Sequence, residues 1–468
     1  MINKFSHYLE SKKPILKTLV KQLSQEYSYV SILGTDVSGV SYQVDRMSVH
    51  VGPSSLNECG FVIKIYHNGI YSEYSTSLMD ENNLDDIISA IKELVSFNTS
   101  NHKMNIPHYD EEEITKSFIR ENKGQIFNHD EIIAKLKSYV TTICAKYPEI
   151  VNSSVGLENL QVSKIFISTK RELEQYYTWS GGRAFSLAKR DNNMKYGYDG
   201  FGEPSMEEVL TNLEPALEKT AKLAIELLDS VLPTPGFYDV ITDPSITGLI
   251  AHEAFGHGVE MDQFVKDRAL ATEYVNKRVA SDLVYMHDGA QATLSNASYF
   301  FDDAGVLAQD TLIIEKGILK RGISDLTSAL ELGTKPTGNS RRESYKRKAY
   351  ARMTNTFFEA GTSKLADMIK SIEYGYYIGI TNNGMEDPKN WGIQCTALYG
   401  KQIKNGQFTG KIISPVVMSG YVIDLLKSIS MVSDGFEVIG SGFCGKGYKE
   451  WVPVSDGGPH LKAKVKIG

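Results

Sequence analysis

The chain has 468 residues but only four cysteines, Cys59, Cys144, Cys395 and Cys444, and no CxxC pair. That excludes a disulfide framework, a zinc ribbon and a thioredoxin-like redox site. No apolar run approaches the length that crosses a membrane. The opening residues, MINKFSHYLESKKPILKTLV, carry Lys4, Glu10, Lys12 and Lys13 where a secretory leader needs an apolar core. The chain therefore reads as cytoplasmic. An excess of positive charge is also missing, with 50 Lys and Arg against 57 Asp and Glu and a formal net charge of −7. Such a balance argues against wholesale binding of nucleic acid or membrane surfaces. There is no internal repeat of fixed period, no low-complexity segment and no G-x-S-x-G elbow around any serine.

What is present divides into two halves of different character. From Lys12 to Gln25 apolar residues recur at helical spacing (Ile15, Leu16, Leu19, Val20, Leu23), and the same period returns over 83–97, 130–146 and 206–228. Between them lie strand-like runs. FVIKIY and IYSEYS flank Asn68-Gly69, a pair that tolerates positive φ at both corners of a hairpin. LPTPG, from Leu232 to Gly236, breaks the pattern. Beyond it short strands and turns dominate, with hairpin signals at Lys316-Gly317 and Asn405-Gly406. The expectation is an α+β fold: residues 1–232 form a mixed helix and antiparallel-sheet lobe, and residues 233–468 a β-rich lobe carrying a metal-binding helix.

The chemistry concentrates in ITDPSITGLIAHEAFGHGVEMD. Asp243 followed by Pro244 is a helix start, a capping side chain and then a preset φ. The helix then presents His252, Glu253 and His257. Two imidazoles with a carboxylate between them supply neutral ligands for a catalytic zinc and a base for the water it activates. The spacing is unusual. Histidines four apart lie about 40° apart around a regular helix, whereas five apart they diverge by about 140°. A π-type insertion returns both to one side. Gly256 and Gly258 weaken the helix at that point, so a deformation near Gly256 is predicted. A catalytic zinc needs one more protein ligand. Glu260 is a candidate, or a partner that orients an imidazole. Cys444, in the glycine-rich FEVIGSGFCGKG, is another.

That segment formally contains GxGxxG (Gly440, Gly442, Gly445). Only 23 residues follow Gly445 and no helical period appears among them, so a dinucleotide fold is excluded. A basic run, RRESYKRKAYAR, holds Arg341, Arg342, Lys346, Arg347, Lys348 and Arg352 with Tyr345 and Tyr350 interleaved. It reads as a solvated face, as a nucleic-acid contact, or as arginines that hold a substrate carboxylate or make buried pairs.

HEAFGHGVE, PTGNSRRESY with RMTNT after it, ISMVSDGFEVIGSGFCGKG and GGPHLKAK together resemble the TldD/PmbA family of cytoplasmic metallopeptidases. The resemblance spans residues 235–468; the first half is similar in length and layout only. It implies a zinc peptidase in which His252, His257 and Cys444 bind the metal and Glu253 is the catalytic acid/base. The complete set is similar to the TldD-type catalytic subunit, whereas the PmbA/TldE type lacks the metal motif. The resemblance further implies short or unfolded peptides as substrates, and a hollow dimer of two like chains or of this chain with a PmbA-type paralogue. A non-catalytic, peptide-binding partner subunit is the alternative. Arg341, Arg342 and Tyr345 are candidates for holding substrate, and Tyr345 or His460 for the oxyanion. Two stretches depart from the family pattern, KRKAYA before RMTNT and residues 381–392, TNNGMEDPKNWG.

Overall fold

The structure is a computed structural model and describes residues 4–102, 104–122, 124–447 and 449–468. Helix α1 (His7–Leu23) starts five residues earlier than the apolar period suggests, because the Ser6 hydroxyl accepts a hydrogen bond from the Leu9 amide. Strands β1 (Tyr29–Asp45), β2 (Val49–Pro53), β3 (Glu58–His67) and β4 (Ile70–Thr76) follow, then helix α2 (Leu84–Asn101) and strand β5 (Ile114–Ile119). Helix α3 (His129–Lys146) leads into the long strands β6 (Ile150–Ser168) and β7 (Arg171–Arg190), then β8 (Asn193–Glu203) and helix α4 (Met206–Glu226).

These strands make one sheet in the order β4-β3-β1-β6-β7-β5, with β2 beside β1 and β8 beside β7. Its pairings are antiparallel except that of β5 with β7. Alternation along β6 assigns its faces. Ile165 and Ile167 pack under α1 and α2 with Ile32 and Ile63. Phe166, pointing the other way, packs with Leu33, Leu173 and Phe301 of the second half. Each such aliphatic or aromatic burial contributes about 1.5–3 kcal/mol, so both faces of the sheet are held.

The second half opens with strand β9 (Gly236–Thr242) and helix α5 (Pro244–Leu249). The strands that follow are β10 (Met286–Asp288), β11 (Thr311–Glu315), β12 (Ile318–Leu319), β13 (Ser340–Arg341), β14 (Tyr350–Ala351) and β15 (Asn355–Phe358). Then come β16 (Tyr374–Asp387), β17 (Gly392–Lys404), β18 (Gln407–Ile413) and β19 (Val416–Tyr421). The last are β20 (Met431–Val432), β21 (Glu437–Lys446), β22 (Lys449–Gly458) and β23 (Leu461–Ile467).

Five of them, β9, β23, β19, β17 and β16, pair in succession and close into a ring through the β16–β17 pairing, with β18 outside it. Closure removes exposed edges among those five. A second sheet runs β12-β11-β10-β15-β22-β21. The fold is thus α+β, as the sequence suggests. All three proposed hairpin corners have positive φ at both residues: Asn68-Gly69, Lys316-Gly317 and Asn405-Gly406.

Candidate metal centre

Strand β9 of the ring ends at Thr242, and the next residue, Asp243, caps α5 by accepting from the Ile246 amide at 2.9 Å. Its other carboxylate oxygen accepts from the Ile380 amide of β16, also at 2.9 Å. The α-helix lasts only to Leu249; Ile250–Gly256 forms a π-helix and His257–Val259 a 3-10 turn. The deformation predicted from the five-residue spacing is therefore present, and with i→i+5 geometry His252 and His257 face the same way. Their ring centroids lie 5.2 Å apart and perpendicular.

Gly256 has another role than the one its helix-weakening chemistry suggests. Its φ is −60°, open to any residue. A Cβ there, however, would sit 2.1 Å from the Met353 sulfur. Close packing against Met353 requires the glycine.

Cys444 arrives from the other sheet, on β21, opposite Val452. Its Sγ lies 3.3 Å from His257 Nε2. One ligand atom from each of His252, His257 and Cys444 falls within 4.8 Å of the other two. Burial raises the Cys444 thiol, but the two imidazoles outweigh it and bring the group down to about 4, so it is a thiolate. Burial lowers His252, and the thiolate more than reverses this, to about 9. His252 Nδ1 is buried without a hydrogen-bond partner. Two imidazoles and a thiolate are the donor set of a catalytic zinc site, and these residues fit such an ion.

Two carboxylates flank His257. Glu253 Oε2 is 3.9 Å from Nε2. Glu260 Oε2 is 3.4 Å from Nδ1. Glu260 lies outside the three-residue cluster and plays the other part considered for it, orienting the imidazole. It also pairs with Lys446 at 3.1 Å and Arg352 at 3.3 Å. Burial would raise its carboxyl, but Lys446, His257 and Arg352 hold it well below the usual carboxylate range. Arg352 is fully buried and also donates to the Cys444 carbonyl at 2.9 Å. It ties the π-turn to the strand that carries the thiolate.

The basic run is split by burial. Arg341 donates to the Met353 and Pro453 carbonyls, both at 2.6 Å. Arg342 donates to the Arg347 carbonyl at 2.6 Å and pairs with Glu73 of the first half at 3.2 Å. Tyr345 is seated on Gly60, where a Cβ would meet its ring at 2.4 Å, and its amide donates to Glu58. These three are therefore engaged within the protein and are not among the clustered donors. Lys346, Arg347 and Lys348 remain exposed. His460 Nε2 lies 3.2 Å from the Tyr377 hydroxyl, away from the cluster's donors.

Two acids that sequence reasoning missed stand at the cluster. Asp456 on β22 packs against α5, where a Cβ on Gly248 would lie 2.5 Å from its Oδ1. Burial, opposed by His252 and aided by Glu253 and Cys444, pushes it up to about 6. Glu386 lies at the end of β16. A Cβ on Gly258, next to His257, would be 2.8 Å from its Oε1. Burial pushes Glu386 well above the carboxylate range, against His257 and with Glu253. No local motif flags either residue; only the ring closure and the β21–β22 hairpin bring them in.

The family described as "PmbA/TldA metallopeptidase C-terminal domain" matches residues 235–468. A "Zinc metalloprotease TldD homolog" of Saccharolobus solfataricus is 28% identical over 423 residues, covering 87% of this chain and 90% of that protein. A "Metalloprotease TldD homolog" of Buchnera aphidicola subsp. Acyrthosiphon pisum is 34% identical over 249 residues, covering 52% of this chain and 50% of that one. The crystal structure of TldE from Thermococcus kodakarensis superposes with a TM-score of 0.76 at 16% identity, covering 97% of this chain and 100% of that chain. At that identity it supports the fold.

Proposed function

Because this chain belongs to the PmbA/TldD metallopeptidase family, we propose that it is a zinc-dependent peptidase, with short or unfolded peptides as substrates. The observation that carries the reading is the convergence of His252 and His257, from the distorted turn that follows α5, with Cys444 of strand β21, and with Glu253 beside them. His252, His257 and Cys444 would hold the metal. Bound zinc supplies Lewis acidity, polarising a carbonyl and lowering the pKa of water.

The remaining chemistry belongs to side chains. Glu253 adjoins one ligand in sequence and approaches the other in space, so its Oε2 can take the proton of the attacking water and return it to the departing amine. Glu260 fixes the His257 ring through Nδ1, which leaves Nε2 for the metal. Arg352 keeps the strand carrying Cys444 against that turn.

As partners, the reading takes a second copy of the chain or a PmbA-type paralogue.

Elemental analysis of desalted, zinc-loaded protein, alongside cleavage of an unstructured peptide, tests this. We expect about one zinc per chain in wild type, lost in Cys444→Ala together with cleavage. Wild type that retains no zinc would overturn the reading.

A further inference from the structure

Three carboxylates stand around the metal-binding cluster without a cation. Among the described residues Glu253, Glu386 and Asp456 form no ion pair with a lysine or arginine. The nearby cations are spent elsewhere, Arg352 on Glu260 and Lys446 on Glu260 and Asp262. Glu386 is the extreme case. Both of its oxygens are shielded from solvent and neither has a hydrogen-bond partner. The Gly258 amide lies close without forming a proper hydrogen bond.

A carboxyl buried in this state is disfavoured unless something pairs with it. Its placement is not accidental packing. Gly384 and Glu386 share one face of β16, and a Cβ on Gly384 would meet Glu253 Cγ at 2.7 Å. That face therefore lies against the π-turn, and Glu386 is aimed at the turn that follows His257. The same point, the missing Cβ of Gly258, is 3.4 Å from Trp391 Nε1, another buried group without a partner. An acceptor and an unpaired indole N–H thus converge beside the cluster, both from residues 381–392.

We propose that Glu386 is a specificity-determining residue that receives an ammonium group of the substrate, either its α-ammonium or a lysine side chain. The subsite rests on the peptidase reading above and names the substrate class: peptides that place a cation within reach of the scissile bond. A buried carboxyl whose oxygens have no partner is satisfied by a cation that donates to it. A charge-assisted hydrogen bond from an ammonium to Glu386 gives orientation as well as affinity.

The test is calorimetric, on the zinc-loaded full chain and on Glu386→Gln. Three otherwise identical peptides are used: free N-terminus without lysine, N-acetylated without lysine, and N-acetylated with one lysine. Binding appears as a prompt heat and turnover as a sustained one. We expect at least one cation-bearing peptide to bind wild type about tenfold more tightly than the acetylated, lysine-free peptide, and that ratio to fall to near one in Glu386→Gln. Which peptide gains identifies the source of the ammonium. Equal binding of all three by wild type overturns the subsite, and that comparison decides even where the variant fails to fold. A preference that survives unchanged in folded Glu386→Gln overturns it too. A preference in prompt heat without sustained heat overturns hydrolysis and leaves the subsite standing; sustained heat without preference does the reverse.

Discussion

Glu253 and Glu260 are seven residues apart on one distorted turn and touch opposite nitrogens of the same imidazole, yet their surroundings are opposite. The Glu260 side chain is 1% exposed and shares His257, Arg352 and Lys446. Glu253 is 20% exposed, and among the described residues its ion-pair partner is His257 alone, at 3.9 Å. A carboxylate surrounded by cations has its lone pairs committed and serves as a fixture. One without them has lone pairs free for a reacting proton. The contrast, more than the His-Glu-x-x-x-His pattern, separates the role of chemistry from the role of support.

Removing the basicity of each carboxylate should break the contrast in different ways. Glu253→Gln keeps shape and loses the base. We expect turnover to fall by about 10²–10⁴ with zinc content unchanged, read by peptide cleavage and elemental analysis on the same preparation. Normal cleavage, or loss of zinc, would place Glu253 outside the proton transfer.

Glu260→Gln should act on stability and on the metal. It takes the carboxylate partner from Arg352 and leaves Lys446 with Asp262 alone, and losing one partner of a buried pair costs about 3–5 kcal/mol. It also weakens the hold on His257, which lowers zinc affinity by about 10- to 100-fold. A chelator competition and a thermal melt check both. An unchanged melting temperature would mean that the cations find solvent or other partners.

Legibility in the sequence follows how local each feature is. The hairpin corners at Asn68-Gly69 and Asn405-Gly406 could be read because two residues decide the backbone. The π-turn could be read because His252, Gly256 and His257 lie within six positions and a regular helix cannot align them. Arg352 could not be separated from its basic neighbours, since its partners Glu260 and Cys444 are each 92 residues away. Arg342 meets Glu73 across 269 residues. Charge in a run says nothing about a partner that distant. Glu386 and Asp456 were invisible for the same reason, as each reaches the turn that carries His252 and His257 only through nonlocal strand pairing.

The same lesson of paired against unpaired carboxylates extends to where the basic run meets the first half, with a smaller effect. Glu73, 22% exposed, pairs with Lys64 at 3.0 Å and Arg342 at 3.2 Å. Burial raises it, but Lys64 and Arg342 prevail and lower it to about 2. Glu58 on the neighbouring strand is dominated by burial, which Lys164 only partly offsets, and is pushed up to about 7. The signs are opposite. A depressed folded-state pKa contributes stability that is present above the unfolded value, near 4.5, and is lost as pH falls toward 2. A raised one makes the protein bind protons on folding, so stability rises as pH falls from about 7 toward 4.5. We expect the melting temperature to climb slightly from pH 8 to 5 and then drop, the Glu73 part of that drop being on the order of 3 kcal/mol. In Glu73→Gln the loss between pH 4.5 and 2 should be smaller by that amount. Melting curves for wild type and variant that run parallel through this window would show that Glu73 does not hold the two halves together.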